Sequence, residues 1–168
     1  SHFLLAGIES LAEAGRRLGI EVRTRLLDSS TVTVDTDLAQ RSGLPEGASA
    51  IALKRLRSLD GRPAIVDHNM FLAEVVPRVP REAAESSIYA YLENELGVSI
   101  VSSSRLATIE PADEEDLHYL DLGGQNCVGV VESFSFDSSG VPFEYTRSRH
   151  AARTFSFISI AQRLPAQR

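Results

Sequence analysis

The sequence has little cysteine and no long run of apolar residues. Cys127 is the only cysteine among 168 residues, so the chain cannot form an internal disulfide, which fits a reducing cytoplasm. No apolar run approaches the roughly 20 residues of a membrane-spanning helix. The first residues also lack the basic region and cleavage pattern of a signal peptide. We therefore expect a cytoplasmic protein with no membrane partner.

The basic residues are scattered and outnumbered by the acidic ones, and metal-ligand patterns are missing from the sequence. The net charge of −6 argues against the chain itself gripping nucleic acid, because phosphate neutralisation needs a basic face. The four histidines are dispersed without the spacing of a metal site, and no glycine-rich phosphate loop is present. We expect neither a metal nor a cofactor.

The length of the chain suits one domain, 1–168, with a buried core. Because the chain does not begin with Met, we expect a fragment of a longer protein. Periodicity and turn residues predict helices over residues 4–18, 38–42 and 86–96 and a short one from 111, and strands over 20–27, 50–58, 62–71, 98–109, 126–136, 141–149 and 154–161.

The order of these elements contains a weak internal duplication. A short helix, a turn, a strand, a tight turn and a second strand follow Asp37, and the same series follows Asp116. Two such units predict an α+β fold, with one central antiparallel sheet flanked by helices.

Two arginines stand two residues apart in the predicted hairpin. Strand side chains alternate between faces, so Arg55 and Arg57 point the same way. An anion between them would relieve their repulsion, and the guanidinium fork suits phosphate or carboxylate. The alternative is a solvated strand face. A three-residue loop over residues 59–61 would place Asp67 on the same face, whereas a two-residue loop would place it on the opposite face.

Two further segments carry candidate ligand-binding groups. Ser87 begins a predicted helix, where its hydroxyl and the first backbone N–H groups could face an anion, or it is a plain N-cap. Glu144 and His150 share one face of a later strand, where they could bond to ligand hydroxyls or form a solvated surface.

At these residues the sequence resembles the UTRA domain, the effector-binding half of GntR-type transcription factors of the HutC subfamily. The resemblance is carried by Leu44-Pro45-Glu46-Gly47, Arg55-Leu56-Arg57, Asp60-Gly61-Arg62-Pro63, Ser87-Ile88-Tyr89 and Phe143-Glu144-Tyr145-Thr146-Arg147-Ser148. It implies a chorismate-lyase-like fold, a homodimer formed through this domain, and a small anionic effector, often a phosphosugar. It also implies that DNA is bound only through a winged helix-turn-helix domain that this chain lacks.

The resemblance implies roles for particular residues. Arg55, Arg57 and Ser87 would hold the phosphate, and Asp67 occupies an acidic position where Glu is more typical. Tyr89 and Glu144 would line the sugar side, and His150 stands where an aromatic residue, usually Tyr, is expected. The first helix reads Ser10-Leu11-Ala12 where the family often has Ser-Phe-Ser or Ser-Phe-Thr, so one hydroxyl is lost at Ala12, although backbone N–H groups there could still bind an anion.

Two other interpretations use the same fold. A lyase acting on an anionic aromatic acid would also need arginines and a carboxylate. A dimerisation module with a degenerate pocket would account for Ala12 and His150.

Overall fold

The structure, a computed structural model, describes residues 11–156 and residue 163. The helices are α1 Leu11–Leu18, α2 Thr36–Ser42, α3 Arg81–Glu85, α4 Ile88–Asn94 and α5 Glu114–Tyr119. The strands are β1 Val22–Thr33, β2 Ser49–Leu59, β3 Arg62–Leu72, β4 Ile100–Pro111, β5 Cys127–Asp137 and β6 Pro142–Ala151. None of the described helices is long and apolar enough to cross a membrane.

All six strands form one antiparallel sheet in the order β1-β2-β3-β6-β5-β4, which confirms the predicted α+β class. The duplication is visible in this order, because each half is a long outer strand, a short helix and a hairpin. Asp35 and Asp113 cap the equivalent helices, each accepting a hydrogen bond from the backbone N–H three residues on. The two halves meet where β3 pairs with β6, at the centre of the sheet.

Apolar packing fixes the helices against the two faces of the sheet. The larger buried cluster joins Leu53 and Phe71 of the sheet to Ile88 and Leu92 of α4. A second cluster includes Leu56, Val66 and Val130 with Leu120, which follows α5. The first cluster places the start of α4 beside the face that carries the arginine pair.

The hairpin between β2 and β3 turns through two residues, so of the two loop lengths that the sequence left open, the three-residue hypothesis is wrong. Asp60 and Gly61 have φ values of 48° and 79°, and Leu59 pairs with Arg62. Positive φ at both central positions is the requirement of a tight hairpin turn that matches strand twist.

A bulge then restores the alternation that the shorter loop would have reversed. The register shifts after Ser58, so that Arg57 pairs with Ile65 and Arg55 pairs with Asp67. The extra residue lies next to Pro63, which has no N–H to donate to the ladder. Asp67 therefore shares a face with both arginines, the outcome that the three-residue hypothesis gave, but it does so by a different loop and register.

Three elements differ from the sequence-based expectation, and the first is β1, which is predicted over residues 20–27 but runs Val22–Thr33. The sequence interpretation treats residues 77–80 as a break and does not predict α3, whose five residues are too few to show a periodicity. A strand is predicted over residues 154–161, but Thr154 belongs instead to a single 3-10 turn, Ala152–Thr154. The Thr154 hydroxyl donates to the carbonyl oxygen of Ala151 in this turn. Residues 157–161 of that prediction, and residues 4–10 of the predicted first helix with Ser10, lie outside the described residues.

Candidate functional site

One face of the sheet, here named the pocket face, brings the candidate residues together. Residues directly opposite each other on neighbouring strands point to the same side, so cross-strand pairing sorts them into rows. Each row takes one residue from β2, β3, β6, β5 and β4, in that order. The four rows are Arg57, Ile65, His150, Gly129 and Ile109; Arg55, Asp67, Ser148, Val131 and Ala107; Leu53, Asn69, Thr146, Ser133 and Arg105; and Ile51, Phe71, Glu144, Ser135 and Ser103.

A cavity of about 170 Å³ lies over this face. Seven of the nine predicted site residues line it: Arg55, Arg57, Asp67, Ser87, Tyr89, Glu144 and His150. The other two, Leu11 and Ala12, belong to α1, and their side chains lie outside the described part of the structure. The same helix does contribute Ala14 to the cavity wall.

The two arginines and Glu144 are buried, so the solvated-face interpretation is wrong. The exposed fractions are 6% for Arg55, 7% for Arg57 and 5% for Glu144. Long charged side chains are rarely buried unless they are paired, and the pairing here is internal to the protein.

Arg55 is held by three different acceptors. Its Nε donates to Asn69 Oδ1 at 2.8 Å, Nη1 to the carbonyl oxygen of Ala84 at 3.1 Å, and Nη2 to Asp67 Oδ2 at 3.2 Å. Burial, together with the charge of the neighbouring Arg57, lowers the pKa of Arg55 to about 10. The bond to Ala84 ties this guanidinium to the end of α3, immediately before the serine pair that opens α4.

Asp67 lies between the two guanidinium groups. Its Oδ2 also accepts from Arg57 Nη1 at 3.2 Å, while Oδ1 accepts from the Ser148 hydroxyl at 2.6 Å. Burial alone would raise the pKa of Asp67, but the charges of Arg57 and Arg55 and the Ser148 bond hold it below its usual value. Arg57 is further fixed by a bond from its Nε to the hydroxyl of Thr24 on β1, at 3.1 Å.

A chain of polar groups crosses from the arginines to Glu144. Asn69 Nδ2 donates to Thr146 Oγ1 at 2.9 Å, and the Thr146 hydroxyl donates to Glu144 Oε1 at 3.0 Å. Burial raises the pKa of Glu144 to about 7, although the Thr146 bond and the charge of Arg55 oppose this. The other carboxylate oxygen, Oε2, is buried, and the Tyr89 phenol lies close enough to Glu144 to lower its pKa as a hydrogen-bond partner.

His150 closes the opposite end of the cavity. Burial lowers its pKa to about 4, so the ring is neutral at pH 7. Its ring packs edge-on against Phe155, with centroids 5.4 Å apart. A Cβ added to Gly129 would overlap the Phe155 ring, so this ring lies directly on the backbone of β5.

The start of α4 provides the remaining wall. The Ser87 hydroxyl accepts from Ala90 N at 3.2 Å, which is an ordinary N-cap, and the residue also lines the cavity. Burial, with the neighbouring Glu144, raises the pKa of the Tyr89 phenol well above its usual value.

Some residues that line the cavity or hold Arg55 were not singled out in the sequence. Asn69 could have been found, because it lies two residues after Asp67 on the same strand and so on the same face. Ala84 and Phe155 gave no signal, because their positions depend on a five-residue helix and on the chain path after β6. Within residues 11–156, and at residue 163, no group of three or more His, Cys, Asp or Glu side chains could hold a metal ion.

A helix-flanked antiparallel sheet with a buried, positively charged cavity defines a ligand-binding domain, and comparison with known proteins specifies the class. Residues 17–156 match the family model of the UTRA domain. The chain is 33% identical over 165 residues to the HTH-type transcriptional regulator TreR of Bacillus subtilis, covering 96% of this chain and 68% of TreR. It is 21% identical over 140 residues to the regulator GmuR of the same organism, of which it spans 59%.

Solved structures agree with these sequence matches. The effector-binding domain of the B. subtilis trehalose repressor TreR has a TM-score of 0.76 at 30% identity, covering 85% of this chain and 99% of that domain. The effector domain of PhnF from Mycobacterium smegmatis has a TM-score of 0.80 at 20% identity over 95% of this chain and 99% of that domain, which shows a shared fold.

The chain therefore belongs to the UTRA family, the effector-binding domains of GntR-family transcriptional regulators. Its fold is chorismate-lyase-like, as the resemblance implied. The family assigns it a regulatory role and not an enzymatic one.

Proposed function

We propose that the cavity binds a small anionic metabolite, a phosphosugar-like effector, whose anionic group bonds to Arg55 and Arg57. The observation that carries this proposal is the buried guanidinium pair, which shares one oxygen of Asp67 and faces the cavity. Each guanidinium has five N–H donors, so the bonds to the protein leave donors on both groups for an incoming oxyanion.

The charges around the cavity favour an anion. Two buried arginines face one ionised carboxylate, Asp67, while His150 is neutral at pH 7 and the pKa of Glu144, about 7, leaves that group partly protonated. A ligand with one or two negative charges would balance the remaining positive charge and would be held by charge-assisted hydrogen bonds.

Hydroxyl-bearing side chains support a sugar-like body for this ligand. Ser133 on β5 and Thr146 and Ser148 on β6 line the cavity, separated by β3 from the strand that carries the arginines. Their hydroxyls both donate and accept, as sugar hydroxyls do. The name of the similar trehalose repressor is consistent with a sugar-derived effector.

Effector binding would modulate DNA binding by a winged helix-turn-helix domain attached to this one. The longer regulator would be a cytoplasmic protein of the HutC subfamily. It would form a homodimer through the present domain. Ala14 places α1 on the cavity wall, so a ligand could favour one position of this N-terminal helix. Such coupling requires that the effector bind two conformations with different affinities.

Isothermal titration calorimetry with the chain tests the proposal. Inorganic phosphate and a panel of sugar phosphates should bind, and Arg57→Ala should abolish or strongly weaken binding of both. Arg25→Ala is the matched control, because Arg25 is an exposed arginine on the opposite sheet face. The anion site would be refuted if both variants bound as tightly as the wild type, or if both lost binding equally. Sedimentation velocity would test the homodimer.

A further inference from the structure

Thr24, on β1, holds one edge of the Arg57 guanidinium group. The two residues are directly opposite each other across β1 and β2, and Arg57 Nε donates to Thr24 Oγ1 at 3.1 Å. On the other side of β2, Arg57 Nη1 donates to Asp67 Oδ2 at 3.2 Å. Acceptors on both neighbouring strands therefore fix this guanidinium group, whose residue is 7% exposed, in one orientation.

These two bonds decide which N–H groups of Arg57 remain for a ligand. A guanidinium group has five N–H donors, and it can hold an oxyanion through Nε and one Nη atom or through both Nη atoms. The bond to Thr24 uses the only hydrogen on Nε, whereas the bond to Asp67 uses one of the two on Nη1. The three other hydrogens lie on Nη1 and Nη2, so an anion can be held by the two Nη atoms.

Thr24 affects the cavity through Arg57. Arg57 lines the cavity, whereas Thr24 is not among the described residues that do so. The threonine side chain is branched at Cβ, which restricts its χ1 torsion and so fixes the position of the hydroxyl oxygen. Such a residue can orient a ligand-binding group without contacting the ligand itself.

β1 is also tied to the other arginine of the pair. The backbone N–H of Leu26 on β1 donates to Glu85 Oε1 at 2.9 Å, and Glu85 is the last residue of α3. The preceding residue of that helix, Ala84, accepts from Arg55 Nη1 through its carbonyl oxygen at 3.1 Å. The end of α3 therefore fixes Arg55 relative to the strand that holds Arg57.

We propose that Thr24 is a positioning residue of the anion site, whose hydroxyl group holds Arg57 Nε so that both Nη atoms face the anion. This inference rests on the proposed function, because it takes Arg57 to bind the anionic part of the effector. Loss of the hydroxyl group would leave the charge of Arg57 in place and remove only its alignment. β1 therefore contributes to ligand affinity, although none of its described residues lines the cavity.

Calorimetry on the full chain with inorganic phosphate tests this role. Thr24→Val keeps the branched shape but removes the acceptor, so it should weaken phosphate binding about 3- to 10-fold, the range for one hydrogen bond. Thr24→Ser restores a hydroxyl group and should recover most of the wild-type affinity. Thr31→Val is the matched control, because Thr31 is an exposed threonine of the same strand, and it should leave the affinity unchanged.

NMR of the arginine side chains adds a measurement that a purely structural role would not change. In isotope-labelled wild-type protein, phosphate should shift the Nη signals of Arg57 and leave its Nε–H signal nearly unchanged, because Thr24 already occupies that donor. In Thr24→Val the Nε–H signal should shift as well, since the donor is then free for the anion. Arg57→Ala identifies these signals by removing them.

The inference is overturned if Thr24→Val binds phosphate as tightly as the wild type, if Thr24→Ser does not recover the affinity, or if Thr31→Val weakens binding equally. It is also overturned if phosphate shifts the Nε–H signal in the wild type. In each of these cases the proposed function stands as long as Arg57→Ala loses phosphate binding. No phosphate binding by the wild type, or an affinity that Arg57→Ala leaves unchanged, would refute the proposed function and this inference with it.

Discussion

Asp67 lies 3.2 Å from Arg57, with its Oδ2 accepting a hydrogen bond from Nη1. The same oxygen accepts from Arg55 at the same distance, so the protein places its own carboxylate between the two guanidinium groups. This arrangement holds the two arginine side chains against the pocket face of the sheet in the absence of a ligand. An incoming anion would therefore compete with Asp67 for hydrogen bonds from these two arginines.

Replacing the bridging carboxylate should separate its structural role from its electrostatic one. Asp67→Asn leaves two buried guanidinium groups without their shared counter-ion, so we expect the free energy of unfolding to fall by about 3 kcal/mol. Added phosphate should then restore stability by more than it stabilises the wild type, since the variant binds the anion more tightly. Thermal unfolding over a phosphate series measures both effects.

The control for this experiment is Asp28→Asn, which removes an exposed carboxylate from β1. We expect little change in its stability and a phosphate response equal to that of the wild type. A phosphate response no larger in Asp67→Asn than in the wild type would contradict the idea that Asp67 competes with the ligand.

The two arginines should differ in what their loss costs. Arg55 bonds to Asn69, Ala84 and Asp67, whereas Arg57 bonds to Asp67 and Thr24. We therefore expect Arg57→Ala to weaken binding of an anionic effector by about 1.5–3 kcal/mol, the range for a hydrogen bond to a charged group. Arg55→Ala should lower the melting temperature more, because it leaves Asn69 and the end of α3 without their donor. Calorimetry and thermal unfolding of both variants would measure the losses of affinity and of stability separately. Equal losses of stability in the two variants would contradict the prediction.

Much of the site followed from alternation along strands, and the rest depended on contacts between distant segments. The shared face of Arg55 and Arg57 was predictable, whereas the face of Asp67 was left open by the loop length and was decided by the bulge beside Pro63. Local sequence specifies a two-residue Asp60-Gly61 turn well, whereas a bulge depends on how the whole ladder packs. The Arg55 bond to Ala84 was unpredictable for a related reason, because it crosses from a strand to a helix too short to show a period.

The pH dependence of stability should contain two opposing contributions. The pKa of Glu144 is raised from 4.5 to about 7, so its stabilising contribution is complete below pH 4.5 and is lost as pH rises to 7. The pKa of His150 is lowered from 6.5 to about 4, so its contribution is complete above pH 6.5 and is lost as pH falls to 4. Between pH 4.5 and 6.5 the two largely cancel, and we expect a flat profile for the wild type.

Single substitutions should reveal each contribution. Glu144→Gln removes the carboxyl titration, and stability should then rise with pH between 4.5 and 6.5. His150→Phe keeps a ring against Phe155 but removes the imidazole, and stability should then fall by about 3 kcal/mol between pH 4.5 and 7, the equivalent of the Glu144 shift. Denaturant unfolding at a series of pH values gives these slopes, and slopes of the same sign in both variants would contradict the assignment.

The contact between Gly129 and Phe155 should control the wall at the His150 end of the cavity. A methyl group on residue 129 would overlap the Phe155 ring, so Gly129→Ala must push the ring off β5 or bend the strand, at a cost of about 1–3 kcal/mol. Because Phe155 lines the cavity, we also expect weaker binding of any effector that fills that end. A double-mutant cycle with Phe155→Ala makes the cause testable, since residues in contact do not contribute additively. Gly129→Ala should cost little stability once the ring is gone. An equal cost with and without Phe155 would place the strain in the β5 backbone and not in the wall of the cavity.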